Sequence, residues 1–419
     1  MGGVKKSVFI FVVLSGLASI FNYLTYPVLA HILPAGQYIN VVVSLSLLTQ
    51  MSTFLASIIA IAIGLSKVEE QARGNTGVEL LQSMLFKFFI ALGLVFLIIS
   101  PLILPKIHIP LAFVLPIFFM MIVSIPIAII SGYLNGKSKL VKMGVLIALS
   151  ASLQIVLTVA VGFVTKNGLW AEIGMGTGQL LTIPAIYLLF RYDKLPKIGK
   201  TLLRSTRLDD SDNGYAAKLF LYALAASLAI MFINLVQIAD LLIIQAQHGN
   251  QVKFYTDIYV ISRAVFFGGT IFVWPFLSEI SLNNHQLNRK PLIKVCTYFC
   301  LIALAAIIGI DFFGGFITHL FFGSRFSVSS VRNIGTLSIL YKLFFLIITA
   351  VILYFVVLRN YIAIWLSSVI TAIVLVYGFL IPKHAGIHSI LVGLDSIAGV
   401  AAIVCLILFY IKKLEAAKD

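Results

Sequence analysis

The sequence predicts an all-α polytopic membrane protein with twelve transmembrane helices in two six-helix halves. Three observations predict it. Of 419 residues, 61% are hydrophobic and only 11% are charged, whereas soluble domains are about half apolar. Apolar runs long enough to cross a ~30 Å hydrocarbon layer at ~1.5 Å rise per residue recur through the chain. Lys and Arg fall heavily in alternate connections between those runs. The runs are continuous rather than alternating apolar and polar, which excludes a membrane barrel.

The first half holds spans 8–31, 39–65, 84–104, 109–133, 141–164 and 169–190. Lys5-Lys6 before the first run looks like a secretion signal, but the run is long and no clear small-residue cleavage site follows, so it reads as a retained helix. Pro27, Pro116, Pro126 and Pro184 lie within these spans and Pro275 within a later one. Each removes a backbone hydrogen bond and can bend its helix. Gly174-Met-Gly176-Thr-Gly178 looks superficially like a phosphate loop. No strand precedes it, so close helix packing explains it better.

Segment 191–215 is hydrophilic, basic and then acidic, and reads as a linker against anionic lipid headgroups. The halves are therefore 1–190 and 216–419. The second half holds spans 216–247, 255–281, 294–319, 334–356, 361–381 and 386–411. Six is even, so both halves enter the membrane in one direction, and a repeat between them implies a pseudo-twofold along the membrane normal.

Charge placement sets the topology. With the N-terminus inside, 21 of the 30 Lys and Arg lie in inner segments and six in outer ones, while Lys87, Arg263 and Lys342 fall within spans. Both termini are then cytoplasmic, in an inner-type membrane. The net charge of +15 is spent on this bias and does not point to nucleic acid. The longest outer loop, 320–333, is too short for an extracellular domain. Cys296, Cys300 and Cys405 lie inside spans without metal spacing or a disulfide framework. His384 and His388 are four apart but in a loop, so no metal and no cofactor are expected.

Polar residues then mark helix faces, since i, i+4, i+7 and i+11 share one side. Span 1 carries Ser15, Ser19, Asn22 and Tyr26 at that spacing, and span 2 carries Ser46, Gln50, Thr53 and Ser57. Span 7 holds Ser227, Asn234, Gln237 and Asp240 on a broader face. Span 8 holds Tyr259, Arg263, Thr270 and Trp274. Such stripes either glue a bundle by interhelical hydrogen bonds or line a hydrated cavity. The charges favour the cavity, because buried ions in a membrane usually face water or a partner.

Arg263 and Lys342 each lie eight residues inside the outer end of their spans, with Asp240 and Asp257 in the same outer half. The four form either internal ion pairs or a cationic site that accepts phosphate, for which a forked guanidinium is suited. Asp240, Asp257 and Glu172 are candidates for coupling to H⁺ or Na⁺, and Asp311 and Asp395 are further intramembrane acids.

Several segments resemble the polysaccharide flippases (Wzx type) of the multidrug/oligosaccharidyl-lipid/polysaccharide exporter (MOP) superfamily. The stretch Asn22-Tyr-Leu-Thr-Tyr-Pro-Val-Leu-Ala-His-Ile-Leu-Pro-Ala-Gly-Gln-Tyr38 resembles their opening, with His31 where Arg is usual and Ile39 where Gly is usual. Ser131-Gly-Tyr-Leu-Asn-Gly136 resembles the small-residue stretch after span 4, and Asn234 through Asp240 the span-7 stretch with a single Asp. Leu320-Phe-Phe-Gly-Ser-Arg-Phe326 resembles an outer Leu-Phe-Gly-x-x-Tyr loop, with Phe326 for Tyr. The resemblance implies two lobes around a V-shaped central cavity lined by spans 1, 2, 7 and 8. It also implies flipping of an undecaprenyl-diphosphate-linked oligosaccharide between leaflets by alternating access. The cavity residues would be Arg263, Lys342, Asp240, Asn234, Gln237, Tyr259, Asn22, Tyr26, Gln50 and Thr53. The partners would be the lipid-linked glycan and membrane lipids, and the protein would act as a monomer.

Three alternatives stand beside this reading. A cation-coupled multidrug exporter of the same superfamily would want an acid deep in the first lobe, and spans 1 and 2 hold none. A lipid II flippase would carry fourteen spans and an Arg in the first. A membrane glycan polymerase or ligase would need a large outer loop.

Overall fold

A computed structural model of the chain describes residues 2–50, 54, 58, 88, 91–102, 104–136, 139–191, 210–247, 251–282, 289–323, 327–358, 360–382 and 385–416. Among them all regular structure is helical. Eight of the helices are long and apolar enough to cross a membrane.

The helices are α1 (Gly2–Ile32), α2 (35–50), α3 (Ala91–Leu102), α4 (Val114–Gly136), α5 (Leu140–Thr165) and α6 (Gly168–Leu189). After the linker come α7 (Asp210–Gln237), α8 (Ala239–Gln247), α9 (Val252–Leu282), α10 (Arg289–Phe322), α11 (Val328–Val357), α12 (Ile362–Leu380) and α13 (Ile387–Ala416). Residues 192–209 of the expected linker lie outside the described residues, as do Thr53, Ser57, Lys87, His248, Arg325, Phe326, Lys383 and His384.

The chain divides into two compact units: residues 1–25 with 44–228, and residues 26–43 with 229–419. The second unit thus takes the end of α1 and the start of α2. The turn between those helices is short because Pro34 denies the preceding residue a comfortable helical backbone, and α1 stops at Ile32.

In unit 1, α5 and α6 join through a tight turn. Lys166 closes α5 with a left-handed φ of 53°, and the Asn167 side chain caps α6 by accepting from Leu169 N at 2.9 Å. The glycines of α6 explain the pairing with α5. A Cβ at Gly174 would sit 2.7 Å from the Leu157 carbonyl oxygen, and one at Gly178 would run into the Leu153 carbonyl. The glycine repeat is therefore a close-packing seam, as the apolar context predicts. Pro116 corrects one expectation. It lies in the first turn of α4, after the short 3₁₀ turn Leu111–Phe113, where a missing N–H costs nothing; Pro126 is the proline inside that helix.

In unit 2, α11 packs against α9, α10 and α13. Its apolar window is 72% buried, against 17% for α10, whose Phe312 and Phe316 are exposed. Apolar side chains that face outward in this number belong against lipid rather than water. Beyond its exposed first turns, α11 lies inside its own bundle, and Ser338 and Lys342 are fully buried there.

The expected seventh span departs from the sequence reading. It is not one helix: α7 ends at Gln237, Ile238 is a turn, and α8 begins at Ala239. Neither Gly nor Pro stands at the break. Ile238 N instead reaches Leu235 O at 3.2 Å, an i−3 bond, and side chains from α11 take the released carbonyls. A helix interrupted at membrane depth must have those groups satisfied from within the protein.

Candidate functional site

The charged cluster of unit 2 grows from this break. Tyr341 Oη donates to Val236 O at 2.6 Å, and the neighbouring Lys342 Nζ donates to Gln237 O at 2.6 Å. Lys342 Nζ also forms a 2.8 Å ion pair with Asp240 Oδ2, and both side chains are fully buried. Tyr255 Oη donates to the same Oδ2 at 2.6 Å. Asp240 Oδ1, buried as well, has no hydrogen-bond partner among the described residues. A hydroxyl chain runs beside the pair, from Ser338 Oγ to Ser262 Oγ at 2.7 Å and on to Tyr259 O at 2.9 Å.

Arg263 lies one turn further along α9 from Tyr259. Its Nη1 donates to Tyr26 Oη at 2.7 Å, and its guanidinium carbon lies 5.4, 5.8 and 5.0 Å from the ring centroids of Tyr26, Tyr259 and Phe267. Only 1% of Arg263 is exposed. Aromatic faces stabilise a cation that has left water, and the delocalised guanidinium suits stacking better than an ammonium.

Several expected site residues meet here: Tyr26, Gln237, Asp240, Tyr259, Arg263 and Lys342. Of the internal ion pairs that the four charges allowed, the structure forms one between Asp240 and Lys342. Arg263 is eleven residues into α9 and Lys342 fourteen into α11, roughly 16 and 21 Å from the first residues of their helices. Asp257 is fully buried, but its side chain leaves α9 about 200° round from Tyr255 and Tyr259. Asn234 is half-buried on α7 and makes no hydrogen bond to this cluster among the described residues. The side chains of Thr270 and Trp274 lie outside the described residues.

Sequence reasoning missed Tyr255, Tyr341, Ser262 and Ser338. Tyr255 stands four residues before Tyr259 and eight before Arg263, which extends the face already marked on that helix. Tyr341 carried no signal beyond its place next to Lys342.

Unit 1 has its own buried acid. Glu172 of α6 is fully buried, and Ser44 Oγ of α2 donates to its Oε2 at 3.0 Å. Glu172 Oε1 has no hydrogen-bond partner among the described residues. Gln50 is 2% exposed and Asn22 half-buried. Ser19, in the expected stripe of span 1, spends its hydroxyl on its own helix, at Ser15 O. Asp311 pairs with Arg332 at 3.0 Å near the surface of unit 2. No group of three or more His, Cys, Asp or Glu among the described residues has metal-binding geometry.

No protein-family model matches the chain, and no curated protein matches it closely enough in sequence to count as a relative. Solved structures do match in fold. A MOP superfamily transporter from Pyrococcus furiosus, described as having a binding pocket of reverse polarity that suggests a different function, aligns with a TM-score of 0.67 at 16% identity, over 99% of this chain and 97% of its own. A multidrug resistance MATE family transporter of the MOP superfamily aligns in its inward-facing conformation with a TM-score of 0.64 at 16% identity, over 98% and 99%. An outward-facing conformation of a MATE transporter gives 0.65 at 14% identity, over 99% and 97%. The fold is that of the MOP superfamily transporters. For this MOP-type fold the expected all-helical architecture holds, and the break between α7 and α8 falls inside it with a charged cluster on its α11 side.

Proposed function

We propose that this chain flips an undecaprenyl-diphosphate-linked oligosaccharide from the inner to the outer leaflet of the cytoplasmic membrane by alternating access, with both termini inside. One observation carries the reading: Arg263, a permanent cation, is buried in a membrane-spanning unit and faced by the rings of Tyr26, Tyr259 and Phe267. Charges within membrane spans mark substrate and ion pathways, and a diphosphate matches the fork of a guanidinium. Lys342 serves this reading differently from the sequence expectation. Its ammonium is engaged by Asp240 and Gln237 O, so Arg263 is the phosphate anchor.

The test is depletion of the protein followed by profiling of the lipid-linked glycans in the inner leaflet, with complementation by variants. Arg263→Ala should cut export at least tenfold while the protein remains in the membrane. Unchanged export contradicts the anchor role.

A second reading has its own observation. The multidrug exporter needs an acid within the first lobe, and Glu172 supplies a fully buried one from α6 although spans 1 and 2 do not. Here Glu172 couples H⁺ or Na⁺ entry to efflux of an organic cation. Proteoliposomes loaded with ethidium separate the two. Gradient-driven efflux lost in Glu172→Gln, without any glycan defect in cells, favours the exporter.

A further inference from the structure

Lys342 is enclosed on several sides by groups that suit a primary ammonium. Nζ donates to a carbonyl, Gln237 O, at 2.6 Å and to a carboxylate, Asp240 Oδ2, at 2.8 Å. It also lies 4.7 Å from the Tyr259 ring centroid and 4.9 Å from that of Tyr341. Lys342, Asp240, Tyr259 and Tyr341 are all fully buried, and Gln237 is 2% exposed. An ammonium has three donors and no acceptor, and ring faces attract what its hydrogen bonds leave of its charge.

The backbone is shaped for the same purpose. In a continuous helix the Gln237 carbonyl would accept from its own fourth neighbour. Because α7 stops at Gln237 and α8 starts at Ala239, that carbonyl turns to the ammonium instead. Unwound carbonyls at broken membrane helices are a recurrent way to coordinate a cation.

We infer that this cage is a monovalent-cation site of unit 2 that the chain fills from within, its occupant being the tethered primary ammonium of Lys342. The charge of Asp240 and the broken helix end are thereby satisfied without an ion drawn from solution. An ordinary surface-type ion pair has no such requirement for a third and fourth wall. The inference concerns stability and cation binding, so it stands or falls independently of which substrate the protein carries.

Lys342→Ala removes Cγ, Cδ, Cε and Nζ, which together are the atoms of n-propylammonium. The experiment measures thermal unfolding of the wild type and of Lys342→Ala in detergent, with n-propylammonium, its neutral isostere 1-propanol or the bulky tetramethylammonium added at matched ionic strength. Removing one partner of a buried pair should lower the Tm of Lys342→Ala by about 5 °C. Added n-propylammonium should recover at least half of that loss along a saturating curve. Neither 1-propanol nor tetramethylammonium should recover it, and the wild type should ignore all three. Adding Asp240→Asn should abolish the response to n-propylammonium. Recovery by 1-propanol equal to that by n-propylammonium, or no saturable recovery at all, overturns the inference. So does a Lys342→Ala protein that stays unfolded even when n-propylammonium is present throughout purification.

Discussion

Neutralising Asp240 and Lys342 separately and together should show that they form one energetic unit. Asp240→Asn keeps the shape of the carboxylate and removes its charge, while Lys342→Met keeps volume and removes the ammonium. At 2.8 Å and an effective dielectric of about 20, the gross attraction is about 6 kcal/mol. Desolvating two ions offsets much of this, but either single change strands the other charge in a fully buried place, which costs about 3–5 kcal/mol. The double variant strands neither ion and should lie close to the milder single variant. The coupling energy is then about 3 kcal/mol, read from unfolding midpoints in detergent across the four proteins. The same cycle between Asp240→Asn and Arg263→Gln should give a smaller coupling, because the direct partner of Asp240 is Lys342. Additive losses in the first cycle, or a larger coupling in the second, would refute this assignment.

Tyr26→Phe keeps the ring over the guanidinium but deletes the 2.7 Å hydrogen bond to Arg263 Nη1, at a cost of about 1.5–3 kcal/mol in unfolding free energy. In an Arg263→Gln background the same change should cost less, which a second cycle on purified protein would measure. Gly178→Val should prevent folding or lower stability by about 3 kcal/mol, because even a Cβ there meets the Leu153 carbonyl. Gly309→Ala, a helical position with open space around it, should be tolerated, and fluorescence-detected size exclusion of the two variants side by side distinguishes them.

The helical class was legible in the sequence because hydrocarbon leaves the backbone few choices. A long apolar run must satisfy its own N–H and C=O groups, and only a helix does that within one segment. The seam of Gly174 and Gly178 against the α5 backbone was legible for a related reason: small residues in lipid mark close helix approach, and Gly176 between them makes room instead for Phe119 and Met120 of α4. The stripe on α9 contains Tyr259 and Arg263, which lie buried side by side, and Arg263 stood out in the sequence because charge within a span is costly wherever it faces. Its partner Tyr26 was visible on the stripe of span 1.

Pairing was less legible. Asp240 had two candidate cations, and one-dimensional spacing along separate helices does not decide which helix packs where. The structure places α11 against α9 at the centre of unit 2, which brings Lys342 to Asp240. Glu172 was recognised as an intramembrane acid, but its position against Ser44 of α2 depends on how α6 folds back on the first helices.

What the sequence by itself determined is the helical class and the residues too polar to lie idle in lipid, because composition and charge placement act through local backbone and solvation physics. What only the tertiary structure decided is the break at Ile238 and the cage beside it. No Gly or Pro announces that break. It exists because Tyr341 and Lys342, about a hundred residues downstream, supply from another helix the donors that Val236 and Gln237 carbonyls lose from their own. A helix interrupted by its neighbour's side chains leaves no signature in its own sequence.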